Sequence, residues 1–251
     1  MDAQNTQNVQ ENQPKEKPVY RMKRRDKILL AVIFGVIGLV VFVTVGIHLY
    51  FHQPGSTYYY RGGKFAYGAE YAQYKKLVVK KGVKSIPDNL FSCCDNALSV
   101  SIPDSVTSIG KKAFYGCQRL SEITIPDSVT EIGEYAFYYC TGLTSVALNE
   151  GLVEIDKRAF SACTSLTAVV IPDGVTVVGA YAFRNTGLAS VSLPSSLSSL
   201  NKSTFAECAA LREITYRGTV AEWNAIEKDA DWMLGSPIET IRCVDGTITI
   251  E

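Results

Sequence analysis

Residues able to do chemistry are few in this sequence and oddly placed. Its two histidines, His48 and His52, sit at the end of a long apolar run, and the 199 residues after His52 contain none. That removes the commonest general base, and with it the usual Ser-His and Cys-His pairings, from the part of the chain that could fold as a globular unit. Seven cysteines remain: Cys93, Cys94, Cys117, Cys140, Cys163, Cys208 and Cys243. They contain no C-x-x-C spacing, so no zinc site is expected. Five of them, Cys94, Cys117, Cys140, Cys163 and Cys208, each follow a phenylalanine by three residues. Small side chains recurring beside a large apolar one are expected to be free, buried thiols in a stacked column. A pairing that involves Cys93 or Cys243 stays open. Asp104, Asp127 and Asp173 each follow an Ile-Pro pair and could be imagined as a calcium ladder. Pro-Asp followed by Ser or Gly is also ordinary turn chemistry, and that is the expectation. Gly62-Gly63-Lys64 is too short for a phosphate loop and follows no strand. The residues therefore predict no catalytic group, no cofactor and no metal.

What positions these residues is a repeat. SIPDSVTSIGKKAFYGCQRLSEI (101–123) is followed by TIPDSVTEIGEYAFYYCTGLTSV (124–146), ALNEGLVEIDKRAFSACTSLTAV (147–169), the one-residue-shorter VIPDGVTVVGAYAFRNTGLASV (170–191) and SLPSSLSSLNKSTFAECAALREI (192–214). A degenerate copy occupies 78–100, which makes six. The register is carried by Phe91, Phe114, Phe137, Phe160, Phe183 and Phe205. Residues one period apart stack on each other in a solenoid, and one coil cannot bury its apolar face without its neighbours.

The unit Ile-Pro-x-x-Val-x-x-Ile-Gly-x-x-Ala-Phe-x-x-Cys-x-x-Leu resembles the 23-residue leucine-rich repeats of BspA-like bacterial cell-surface proteins, over about residues 78–214. The resemblance implies adhesion or recognition of protein or glycan partners. This chain departs from the pattern in its low copy number, its weak first repeat and Thr186, which replaces the column cysteine of the fifth copy. The fold expected is an α/β-type repeat solenoid: a right-handed leucine-rich-repeat coil with a parallel concave sheet and short convex loops that are turn-like or 3₁₀, preceded by one N-terminal transmembrane helix.

Around the repeats, four further segments are expected. Residues 1–27 carry seven Lys/Arg against four Asp/Glu and have no apolar period, which reads as a disordered basic cytoplasmic segment. Residues 28–51 are apolar apart from His48. As a helix they would reach roughly 36 Å, enough to cross a hydrocarbon core of about 30 Å. A cleaved signal peptide is disfavoured because the run is too long and no small-x-small site follows it. The basic flank at Arg21, Lys23, Arg24, Arg25 and Lys27 keeps the N-terminus in the cytoplasm and makes the chain a single-pass plasma-membrane protein with an extracellular repeat domain. Residues 52–77, rich in Tyr and Gly, read as spacer and N-cap. Residues 215–251 read as a C-terminal cap, with a capping box at Thr219 to Glu222, an apolar stripe of Trp223, Ile226 and Trp232, and a hairpin around Asp245-Gly246.

The partners expected are the membrane, through the N-terminal helix, and a protein or glycan outside the cell. Nucleic acid is not among them, since nothing after the apolar run clusters basic charge. Two surfaces could make the contact. Period-2 alternation points Ser99, Ser101, Glu122, Thr124, Ser145, Ala147, Ala168, Val170, Ser190, Ser192, Glu213 and Thr215 outward on the concave face. Ahead of each Ala-Phe, an edge stripe is formed by Lys111, Lys112, Glu134, Tyr135, Lys157, Arg158, Tyr181 and Lys202. A structural scaffold that associates with another envelope protein of the same cell is the alternative role.

Overall fold

A computed structural model describes residues 57–62 and 71–250. The segments expected to be cytoplasmic and membrane-spanning, 1–27 and 28–51, lie outside the described residues. Among the described residues no helix is long and apolar enough to cross a membrane.

Each coil begins with a short strand whose middle residue points inward. These strands stack in parallel as Thr57–Tyr60, Lys76–Val79, Ser99–Ser101, Glu122–Thr124, Ser145–Ala147, Ala168–Val170, Ser190–Leu193, Glu213–Tyr216 and Thr240–Arg242, giving a parallel solenoid of eight turns. Registers such as Glu122↔Ser145 and Ser190↔Glu213 place equivalent residues of successive repeats side by side. The Ile-Pro pair then ends the strand, because proline has no N–H for the ladder and its fixed φ suits a turn. The carbonyls of Pro103, Pro126 and Pro172 accept the N–H of Val106, Val129 and Val175 at 3.0–3.1 Å. The serine after the aspartate ties coils together: Ser105 Oγ donates to Val83 O and Ser128 Oγ to Val106 O. The turn is thus closed by backbone. Asp104, Asp127 and Asp173 are exposed, and Asp173 instead pairs with Arg217 at 2.6 Å.

The opposite side is not the turn-like or 3₁₀ surface expected of it. Seven two-residue strands form a second parallel ladder there: Ser85–Ile86, Ser108–Ile109, Glu131–Ile132, Glu154–Ile155, Val177–Val178, Ser199–Leu200 and Glu227–Lys228. In each pair the second residue of the first six is buried apolar and the first faces out. The Ala-Phe corner is laddered as well. Lys112, Phe114 and Gly116 donate their N–H to the carbonyls of Glu134, Ala136 and Tyr138 in the next coil at 2.8–2.9 Å. Backbone hydrogen bonds therefore join successive coils at the second ladder and the corner as well as along the strand face.

The core is a pair of columns. Phe91, Phe114, Phe137, Phe160, Phe183 and Phe205 are fully buried, and from Phe114 onward their rings stack at 5.1–5.6 Å, within 10° of parallel. Each buried ring contributes about 1.5–3 kcal/mol by leaving water. Beside them run the buried thiols: Cys117, Cys140, Cys163 and Cys208 donate S–H to the carbonyls of Phe91, Phe114, Phe137 and Phe183, each a coil earlier, at 3.1–3.2 Å. Burial pushes the Cys140 thiol up and that of Cys163 up to about 12, so both stay protonated donors. Thr186 fills the gap in the column with a hydroxyl bonded to Phe183 O and Cys208 Sγ. None of the seven cysteines is in a disulfide.

Aromatic lids close both ends of the ring column, and the array extends further than the six copies. The segment read as a spacer and N-cap already contributes a rung, since Thr57–Tyr60 pairs in parallel with Lys76–Val79. Tyr60 and Tyr71 meet Phe91 edge-on at 6.3 and 6.0 Å. At the other end Trp232 meets Phe205 edge-on at 6.3 Å and packs on Trp223. The helix Val220–Ala225 opens with the expected capping box of Thr219 and Glu222, and Thr240–Arg242 pairs antiparallel with Thr247–Thr249.

Candidate functional site

On the strand face the structure places Ser101, Glu122, Thr124, Ser145, Ala147, Ala168, Val170, Ser190 and Thr215 exposed, with Ser99, Ser192 and Glu213 half-buried. Glu213 is taken up by Arg242 at 2.6 Å, and Ser192 Oγ accepts from Arg217. The ladder on this face breaks twice, between Ser99–Ser101 and Glu122–Thr124 and between Ser145–Ala147 and Ala168–Val170. At both breaks the inward residues of the earlier rung, Val100 with Ile102 and Val146 with Leu148, are only half-buried, whereas Ile123, Ile125, Val169 and Ile171 are buried. The second break opens a shallow cleft of about 290 Å³ floored by Val146, Leu148, Val170 and Pro172.

The corner ahead of each Ala-Phe is more specific. Each repeat has two residues there in the left-handed region. The first column is Asn89, Lys112, Tyr135, Arg158, Tyr181 and Ser203, and the second is Cys93, Gly116, Tyr139, Ala162, Asn185 and Glu207, with φ between 51° and 72°. A side chain at such φ costs roughly 1–2 kcal/mol relative to the right-handed conformation. Only one of the twelve positions is glycine.

In the middle of the first column, cation and ring alternate rung by rung. Lys112 Nζ lies 5.7 Å from the Tyr115 ring and 5.5 Å from that of Tyr135. The Arg158 guanidinium lies 5.4 Å from Tyr135 and 4.6 Å from Tyr181, and its Nη1 donates to the Tyr135 hydroxyl at 2.5 Å. Tyr115 and Tyr138 stack at 5.2 Å beside this column, and Tyr139 is 45% exposed.

The other predicted stripe residues pair among themselves. Glu134 bonds Lys111 and lies 3.9 Å from Lys157, and Lys202 faces Asp231 at 3.9 Å. The Lys111 ammonium holds the Glu134 carboxyl below its ordinary range. Arg184 pairs with Glu207 at 2.6 Å, which raises the guanidinium further. Among the ion pairs of the described residues, neither Lys112 nor Arg158 has a carboxylate partner.

Tyr115, Tyr138, Tyr139, Arg184 and Glu207 were not singled out from the sequence. Their signal was present for the first two, which recur one residue after Phe114 and Phe137 at the repeat period. Among the described residues no group of three or more His, Cys, Asp or Glu side chains could hold a metal ion.

The comparisons agree with this geometry. The pattern of the BspA type leucine-rich repeat region matches residues 70–224 in six copies. The solved leucine-rich repeat protein of T. pallidum is 32% identical over 64% of this chain and 74% of that one, with a TM-score of 0.54. A leucine-rich repeat protein from Eubacterium ventriosum is 28% identical over 65% of this chain, with a TM-score of 0.57, and the chain spans only 43% of its length. One from Bacteroides ovatus, at 24% identity, 69% and 50% coverage and a TM-score of 0.50, shares the fold. No curated protein matches the chain. With more than half of its length matched, repeat by repeat, this chain belongs to the family of BspA-type leucine-rich repeat proteins.

Proposed function

We propose that this chain is a recognition module of a bacterial cell surface, held by the apolar segment 28–51 with its repeats outside the cell, and that it makes contact through the Lys112, Tyr135, Arg158, Tyr181 column. One observation carries the reading: four large side chains kept in a row at left-handed backbone positions where glycine would be less strained. Tyrosine and arginine are also the residues most enriched where binding energy concentrates. The strand face offers small, weakly polar side chains and has few such anchors. The repeat family supports a binding role over a catalytic one.

The test is a glycan array and a panel of extracellular-matrix proteins, both probed with the labelled full chain. Binding should be lost in Tyr135→Ala and Arg158→Ala and retained in Thr124→Lys on the strand face. The opposite pattern would move the contact to the strand face, and no binding in either format would sink the recognition role. Surface protease treatment of intact cells should remove the repeat domain; protection would overturn the export topology.

A further inference from the structure

We propose that the ligand of this column is a linear acidic polysaccharide whose carboxylates fall on alternate sugars; the proposal rests on the column being the contact surface. The row presents hydrogen-bond donors at a fixed spacing. Its pitch is that of the stacked rings beneath it, 5.1 Å from Phe114 to Phe137 and again to Phe160. Lys112 and Arg158 lie two rungs apart, about twice that distance, with Tyr135 between them.

The Tyr135 hydroxyl accepts from Arg158 Nη1, which leaves its own proton available to donate. Lys and Arg are donors only. The cations lie over ring faces, so edge and hydroxyl are what each tyrosine has left to offer beside them. The sequence of groups is therefore charged donor, neutral donor, charged donor, neutral donor, one per rung. It asks for a straight polymer with an acceptor at each step and a negative charge at every second one.

A β-linked pyranose chain advances by about one rung per sugar, so an alternating uronic acid and neutral sugar meets both conditions. Extended polypeptide does not, because side chains on one face of a strand recur at roughly 6.6–6.8 Å and slip out of register with the rungs. Nucleic acid carries a phosphate charge at every nucleotide, with no neutral step to meet the tyrosine between the two cations. An acidic helix could match two rungs, since seven residues rise about 10.5 Å. Helical peptides, however, are held in apolar grooves, and this row presents ammonium, guanidinium and hydroxyl groups.

Lys112 and Arg158 are the two cations of the stripe with no carboxylate partner among the described ion pairs, whereas Lys111, Lys157, Arg184 and Lys202 are each engaged. They meet an incoming carboxylate without first breaking an ion pair.

The experiment measures binding of the full chain to hyaluronan decasaccharide, which alternates a uronic acid with a neutral sugar. Chito-oligosaccharides serve as a neutral chain of the same advance and oligogalacturonate as one charged at every sugar. Hyaluronan should bind tightest, and its affinity should fall as salt rises. Lys112→Gln and Arg158→Gln should each weaken it roughly tenfold, as expected for loss of one charge-assisted hydrogen bond. Lys157→Gln, on a neighbouring paired cation, should leave it unchanged, and the circular dichroism of all three variants should match the parent. Equal binding of the neutral chain, or indifference to both Gln variants, overturns the proposal. Capture of a matrix protein by the same column with no glycan binding overturns the ligand class while leaving the recognition reading intact.

Discussion

If large side chains are held at left-handed positions against backbone preference, then at Arg158 glycine should be a better replacement than alanine. Arg158→Ala and Arg158→Gly both delete the guanidinium with its contacts to Tyr135 and Tyr181, so that loss cancels in their difference. What remains is the backbone at φ 57°. Alanine retains the left-handed strain of about 1–2 kcal/mol, and glycine is relieved of it. Against this, glycine gives the unfolded chain extra freedom of about 0.4–1 kcal/mol. The balance leaves Arg158→Gly the more stable by about 0.5–1 kcal/mol, the reverse of the order at an ordinary helical or exposed site, where alanine wins. The converse holds at Gly116, the glycine of the second column. A Cβ there would meet nothing closer than 3.8 Å, so only its φ of 72° opposes Gly116→Ala, which should destabilise by a similar amount. Urea unfolding of the full-length chain, followed by circular dichroism, measures both. If Arg158→Ala proves more stable than Arg158→Gly, the corner is not left-handed in solution, and the claim that its side chains are retained at a cost falls.

Three further outcomes are expected. Phe137→Ala removes a fully buried ring stacked on both sides and should cost about 3–5 kcal/mol in urea unfolding, near the top of the range for such truncations; a cost under 1 kcal/mol would mean the column collapses to fill the hole. Thiol labelling at neutral pH should modify exposed Cys93 first and the half-buried Cys243, raised by burial, more slowly, leaving Cys94, Cys117, Cys140, Cys163 and Cys208 untouched until denaturant is added; mass spectrometry of the labelled peptides reads this directly, and early labelling of Cys140 would contradict the packing. The Glu134 carboxyl is held down by its bond to Lys111, so its contribution is present above the ordinary glutamate range and is lost as pH falls through its lowered folded value; Glu134→Gln should flatten that part of the stability profile, and an unchanged acid limb would show that the pair contributes nothing.

The period was legible because it is written in large residues. Six phenylalanines in register and the cysteines three residues later fixed which side chains meet, and the structure stacks them accordingly. The second ladder was not legible, since Ser108–Ile109 and its equivalents are two residues long and alternation needs at least four to be read. Nor was the first rung, Thr57–Tyr60, whose 19-residue spacing to the next and lack of an Ala-Phe pair carry no repeat signal. The Trp cap could be read because Thr219 and Glu222 mark a helix start on residue type alone.

The corner is the instructive case. Left-handed positions are ordinarily found by their glycines, and here lysine, tyrosine and arginine hide them. Lys112, Tyr135, Arg158 and Tyr181 were visible as a polar stripe at the repeat period, and polar stripes on a solenoid edge are most simply solvated surface. What separates them from that reading is conformational. A surface free to vary would relax toward glycine or asparagine wherever φ is positive, as Asn89, Gly116 and Asn185 do at three positions of the twelve. Contacts between the four residues offset part of the strain, since cation–ring pairs at half-exposed sites are worth about 0.5–1 kcal/mol each. Each left-handed position loses about 1–2 kcal/mol, so the three pairs within the column fall short of what its four positions lose, and self-contact alone does not hold the column in place. A ligand that meets all four at once supplies a reason for alternation that stability alone does not, because stacking would be served equally well by tyrosine at every rung.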